Sequence, residues 1–210
     1  MIRILIADDH SIVRKGLKQI ISETQDMVVA DEAGDGQEVL NKVRKNSFDM
    51  VLLDISMPGR SGLDILRELK AEKPKLPILV LSMYPEEQYA VRVLRAGASG
   101  YLTKESAPDE LIAAIRKVSL GKKYVTPSLA ERLALDLDMD SNKPLHETLS
   151  DREYQVLCLI SSGKTVGDIA EKLSLSTKTI STYRARILEK MNMKNNAELT
   201  HYSLQHKLVD

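Results

Sequence analysis

The chain holds a single cysteine, Cys158, in 210 residues. One thiol excludes a disulfide framework and any cysteine-built metal site within the chain, and it suits a reducing compartment. Cys158 falls on an apolar helical stretch, where a small buried side chain is expected. The four histidines are too scattered to build a zinc site, and His10 reads as a polar neighbour of an acidic segment rather than a ligand. Charge of one sign is also lacking, because 30 basic residues balance 30 acidic ones. No global field therefore announces a nucleic-acid partner, and such a partner has to be argued from one local face. No apolar run approaches the roughly 20 residues that cross a bilayer. Met1 leads into Ile2-Arg3-Ile4-Leu5-Ile6-Ala7, which turns acidic too soon for a signal peptide. Cytoplasmic residence is the expectation. No internal repeat is present.

What is there centres on Met50-Val51-Leu52-Leu53-Asp54. A short apolar run bounded by the turn-forming Ser56-Met57-Pro58-Gly59 reads as a strand buried on both faces. Ile4 to Ala7 reads the same way and ends in Asp8-Asp9. Further strands are expected at 28–30, 77–82 and 100–103, the fourth closing on Ser82 and the fifth running into Lys104. Helices alternate with them. Ile12, Val13, Gly16, Leu17, Ile20 and Ile21 recur at helical spacing, with Ser11 a better cap than His10. The next helices carry Val39, Leu40 and Val43, then residues 62–70, 86–96 and 108–118. Five strands alternating with five helices argue an α/β doubly wound parallel sheet.

The pattern changes after residue 121. Leu129, Leu133 and Leu137 suggest a short helix after Pro127. Asp136, Asp138, Asp140, Ser141, Asn142 and Pro144 then read as a polar tether. Beyond it the chain is all-α. Ser150 and Glu153 form a capping box, followed by helices at 166–173, 177–191 and 196–208. The expected division is 1–121, a linker at 122–146, and 147–210.

Two constellations carry chemistry. Asp8, Asp9 and Asp54 converge at one sheet edge if their strands are neighbours. Like charges so close need a cation, and oxygen donors favour Mg²⁺. Asp54 is then a nucleophile for phosphoryl transfer. Mg²⁺ would sit on Asp9 and Asp54, with Asp8 acting mainly through water, while Lys104 and the Ser82 hydroxyl hold phosphoryl oxygens. The second constellation is a helix-turn-helix, in which Ile169, Ala170 and Leu173 pack on Ile180, Ile187 and Met191. The other face of the second helix carries Lys178, Ser181, Thr182, Arg184 and Arg186, with Lys190 and Lys194 extending a basic stripe suited to phosphates.

Asp8-Asp9, Asp54, Met57-Pro58-Gly59, Ser82, Tyr101 and Lys104 resemble the receiver domain of two-component response regulators. That resemblance implies a five-stranded sheet of order 2-1-3-4-5 and phosphorylation of Asp54 by a histidine kinase. It also implies the Ser56 carbonyl as a third Mg²⁺ ligand and Ser82 with Tyr101 as a switch pair. Glu105 stands where many receivers have proline after the lysine. Leu149-Ser150-Asp151-Arg152-Glu153, Ile169-Ala170-Glu171-Lys172-Leu173 and Ser176-Thr177-Lys178-Thr179-Ile180 resemble the LuxR-type helix-turn-helix. Together the halves resemble a NarL/FixJ-type regulator. The resemblance implies base-facing Ser181, Thr182 and Ala185 with Arg184 nearby, and DNA-backbone-facing Lys178, Thr179 and Lys190. Double-stranded DNA, a sensor kinase and a phosphorylation-favoured homodimer, with the last helix as one contact, are the implied partners. Tyr183 replaces a common histidine, and Val166-Gly167-Asp168 replaces a common Asn-Lys-Glu. Two alternatives belong to other classes: a phosphatase-like enzyme, for which no separate general acid is found, and a DNA binder indifferent to phosphorylation.

Overall fold

A computed structural model describes residues 1–57, 60–138 and 144–209. It divides into two compact units, Met1–Ala130 and Glu131–Asp210.

The first unit is a five-stranded parallel sheet of order β2-β1-β3-β4-β5. Its strands are β1 (Ile2–Ala7), β2 (Met27–Ala33), β3 (Met50–Asp54), β4 (Ile78–Ser82) and β5 (Gly100–Thr103). Between and after them run α1 (Ser11–Ser22), α2 (Gly36–Lys45), α3 (Gly62–Glu72), α4 (Glu86–Arg95) and α5 (Pro108–Ser119). β3 is buried along its whole length, which explains its unbroken apolar run: a parallel strand is covered on both sides. One face gathers Ile4, Ile6, Met50, Leu52, Leu79, Leu81 and Leu102 with Leu111, Ile115 and Val118 of α5. Leu5, Val51, Leu53 and Val80 alternate to the opposite face and are equally buried. Each such side chain contributes about 1.5–3 kcal/mol by leaving water.

Four local expectations need correction. Helix α1 starts at Ser11 itself, with His10 in the capping position and no side-chain cap bond. The Asp8 carboxylate takes the His10 amide at 2.8 Å, so the acidic turn, not a serine hydroxyl, sets the helix start. Ile12 is 83% exposed, outside the apolar stripe that its spacing implied, and Gly16 is exposed with it. β2 is longer than residues 28–30. The expected polar tether is helical in its first part, because α6 spans Pro127–Asp138. Its 140–142 portion, like Pro58 and Gly59, lies outside the described residues.

Glycine is required at one place that bears on the site. A Cβ on Gly62 would stand 2.3 Å from Ile55 Cα. Only glycine lets α3 begin so close beneath the residue that follows Asp54.

The second unit has a 3-10 turn at Leu145–Thr148, then α7 (Asp151–Ser161), α8 (Val166–Leu173), α9 (Thr177–Lys190) and α10 (Asn196–Gln205). The last helix ends before 208, the expected limit. Ser150 and Glu153 form the capping box the spacing implied. Thr165 and Asp168 form another, unforeseen one that starts α8. Ile169, Ala170, Leu173, Ile180, Ile187 and Met191 are all buried. Ser174 takes the left-handed conformation that ends α8, with φ 52°. No helix among the described residues is long and apolar enough to cross a membrane.

Candidate functional site

The sheet register brings several strand ends together. Ala7 pairs with Leu53, Asp54 with Leu81, and Ser82 with Thr103. Asp8, Asp54, Ser82 and Lys104 therefore share the carboxyl edge, where open α/β sheets hold ligands. Asp8 and Asp54 are buried. Lys104 reaches both: its Nζ lies 2.6 Å from Asp54 Oδ2 and 2.5 Å from Asp8 Oδ2. The Ser56 amide donates to Asp54 Oδ1 at 2.7 Å. Asp9 is more open, and its Oδ1 lies 2.9 Å from His10 Nδ1. The same nitrogen is 3.3 Å from Asp8 Oδ1. One donor atom from each of Asp8, Asp9, His10 and Asp54 falls within 4.8 Å of the others.

Electrostatics show what this pocket lacks. Burial pushes the Asp54 carboxyl above its ordinary value; Lys104 and the Ser56 amide pull it back without cancelling the rise, and Asp8 adds to it. Burial also opposes charge on Lys104, but Asp54 and Asp8 more than offset it and hold the ammonium above its ordinary value. Asp8 and Asp54 share one ammonium, and Asp9 stands beside them, so the pocket is short of positive charge. The acidic donors are hard oxygens, so the pocket is compatible with a hard divalent cation. It can also present a carboxylate oxygen as a nucleophile.

Ser82 and Tyr101 meet through the main chain of Tyr84. The Ser82 hydroxyl accepts from the Tyr84 amide at 3.1 Å, and the Tyr101 hydroxyl donates to the Tyr84 carbonyl at 2.7 Å. Tyr101 is buried in this structure, and burial pushes its phenol well above the ordinary range. The Tyr84 ring stacks on Tyr89 with centroids 4.6 Å apart. β4 thus ends on the hydroxyl, and the loop after it carries the carbonyl that anchors the phenol and leads into α4.

One positioning residue escaped the sequence reading. Arg14 Nη1 donates to the Asp8 carbonyl at 2.6 Å, and its Nε donates to Glu32 Oε2 at 3.2 Å. This clamp ties the turn that carries Asp8 and Asp9 to β2. Its only signal in the sequence was a cation one helical turn beyond the paired aspartates.

On the second unit, Ser176 caps α9, its hydroxyl accepting from the Thr179 amide at 3.1 Å. Lys178, Ser181, Thr182, Ala185, Arg186 and Lys190 are exposed, while Thr179 and Arg184 are half-buried. Two cations of the stripe have partners within the unit. Arg184 Nε donates to Asn196 Oδ1 at 2.6 Å, and Lys190 Nζ donates to Glu153 Oε2 at 2.7 Å. Small hydroxyls and an alanine along one exposed face of α9, with cations around them, form a surface that can enter a major groove.

Comparison with known proteins agrees with both halves. Residues 4–116 match the response regulator receiver domain family, and residues 147–203 match the bacterial regulatory proteins of the luxR family. Response regulator UvrY of Escherichia coli K12 is 36% identical over all of this chain and 97% of its own. Response regulator GacA of Pseudomonas aeruginosa is 35% identical over all of this chain and 99% of its own. Among solved structures, RcsB from Salmonella enterica serovar Typhimurium, bound to promoter rprA in the presence of the phosphomimetic BeF₃⁻, is similar. It has a TM-score of 0.64 and 28% identity, covering 96% of this chain and 97% of that one.

Proposed function

The chain belongs to the two-component response regulators that join a receiver to a LuxR-type DNA-binding domain, and we propose that Asp54 is its phosphoacceptor. It is a DNA-binding regulator rather than a turnover enzyme. The observation that carries the assignment is the Lys104–Asp54 contact at the sheet's carboxyl edge, with Asp8 and Asp9 beside it. An Asp54 carboxylate oxygen attacks the phosphorus of a phosphohistidine on the sensor kinase. The P–O bond forms as the P–N bond breaks, and the imidazole leaves with the electron pair and takes up a proton. Asp9, Asp54 and the Ser56 carbonyl would hold Mg²⁺, with Asp8 assisting through water, and the ion when bound would supply positive charge against that of the transferring group. Lys104 then pairs with the phosphoryl oxygens.

The Ser82 hydroxyl turns to the new oxygens and draws the Tyr84 segment with it. Because Tyr101 is hydrogen-bonded to the Tyr84 carbonyl, the ring and the start of α4 follow. This is a two-state element biased by a new charge. Residues 1–121 form the receiver, 122–146 the connection and 147–210 the DNA-binding domain. The phosphorylated form pairs, with α10 as one contact, and places two α9 helices in successive major grooves about 34 Å apart. Ser181, Thr182 and Ala185, with Arg184, face bases; Lys178, Thr179 and Lys190 face the DNA backbone. The site of action is the cytoplasm, where promoter DNA lies.

Intact mass after incubation with acetyl phosphate tests the acceptor. A gain of one phosphoryl group that needs Mg²⁺ and disappears in Asp54→Ala is expected. An equal gain in the variant, or none in the wild type under conditions that preserve acyl phosphates, refutes the assignment.

A further inference from the structure

The acidic turn contains a nitrogen that phosphoryl transfer does not use. His10 follows Asp8 and Asp9 directly, and its ring makes no cap bond to α1. Its amide is held by Asp8 Oδ1 at 2.8 Å, which folds the residue back over the pocket. Nδ1 then stands 2.9 Å from Asp9 Oδ1 and 3.3 Å from Asp8 Oδ1, on a side chain 63% exposed. Ligands held at about 2.0–2.2 Å, in neighbouring positions on one ion, are roughly 3 Å apart. His10 Nδ1 already stands at about that spacing from one oxygen of each carboxylate, and the candidate ligand atoms all lie within 4.8 Å of one another. A second observation is the charge balance: buried Asp8 and Asp54 share one ammonium, and Asp9 has none of its own among the described residues.

Donor chemistry decides what such a group takes. Mg²⁺ prefers oxygen ligands and keeps several waters. An imidazole beside carboxylates suits zinc, nickel and copper, and affinity climbs from manganese through cobalt to copper. We propose that His10 determines the metal selectivity of the receiver pocket, adding its Nδ1 as a ligand for nitrogen-seeking divalent ions of the Co²⁺ and Zn²⁺ type. The inference rests on reading the pocket as a divalent-cation site. Such an ion binds through His10, Asp9 and Asp8, with the ring proton on Nε2. Because Asp9 is also a Mg²⁺ ligand, the two ions exclude each other.

The experiment measures dissociation constants of Mg²⁺ and Co²⁺ on the full chain, wild type and His10→Gln, with the visible absorption of Co²⁺ as an independent record of its ligands. Carboxylates alone already favour Co²⁺ over Mg²⁺, so the quantity to compare is the Co²⁺ preference in the two proteins. The wild type is expected to show a preference at least about tenfold greater than His10→Gln, with a shifted Co²⁺ band and Mg²⁺ affinities that agree within about twofold. Equal preference and identical Co²⁺ spectra, with Mg²⁺ still bound by both, overturn the role of His10 and leave the pocket reading standing. Failure of both proteins to bind Mg²⁺ saturably overturns the pocket reading, and this inference with it. His146, His201 and His206 are present in both proteins, so any Co²⁺ they hold cancels in the comparison.

Discussion

The two units keep their functional charges in opposite ways. In the receiver pocket, Lys104 is only 7% exposed and lies against two carboxylates that are more buried still. On α9, every cation but the half-buried Arg184 stands outside; Lys190, which has a buried partner in Glu153, is 42% exposed. Water screens an exposed charge cheaply, so a DNA face can lose one member and keep its fold. A buried pocket has no such reserve, because every removal leaves a charge without a counterion. Function and stability are therefore coupled in the first unit and nearly separate in the second.

The sharpest way to break this contrast is Lys104→Met. Removing one partner of a buried pair costs about 3–5 kcal/mol, and here two carboxylates lose it together. Urea unfolding of the receiver should show that loss at pH 7. Mg²⁺ at about one hundred times its dissociation constant should return about 2.7 kcal/mol, since it supplies the missing charge. A loss below about 1 kcal/mol would mean that the pocket is wetter than its burial indicates.

Lys190→Met tests the boundary between the two cases. Burial opposes ionisation of Glu153, yet Lys190 and the Ser150 amide and hydroxyl outweigh it and hold the carboxyl below its ordinary value. A depressed carboxyl stabilises the fold above its unfolded value, and that contribution fades as pH falls through the folded one. The variant should lose about 1–2 kcal/mol near neutrality, and the gap from wild type should close in acid. A gap that widens in acid would show that Glu153 is held by something other than Lys190.

The same contrast governs what could be read from residues alone. Asp54 was legible because a both-faces-buried strand writes itself as an apolar run, and the pocket then needs only neighbouring strand ends. The capping box of Ser150 was legible because both partners lie three residues apart. The start of α1 was not, because the Asp8 carboxylate belongs to the pocket and overrides the preference of Ser11 for a cap. Ile12 was misplaced because helical spacing locates a stripe but not its edge. The extent of α6 was hidden by Asp136 and Asp138, residues with weak helix preference that the structure nonetheless includes in the helix. The Lys190–Glu153 and Arg184–Asn196 contacts join separate helices, and spacing along one helix contains nothing about them. Arg14 was missed for that reason too: its partners are a carbonyl and a residue of β2.

The smallest stability effect should come with a clear change in binding. Lys178 is exposed at the start of α9, so Lys178→Ala should alter stability by no more than about 0.5 kcal/mol. A lysine that neutralises one DNA phosphate releases about 0.9 of a counterion when it binds. The slope of log affinity against log salt should therefore become shallower by about that amount, equally on cognate and unrelated duplexes. Binding titrations at several salt concentrations measure it. A loss confined to the cognate duplex would instead make Lys178 a base reader, and an unchanged slope would remove it from the interface. In either case the fold should be untouched, which is the property that separates this face from the pocket around Asp54.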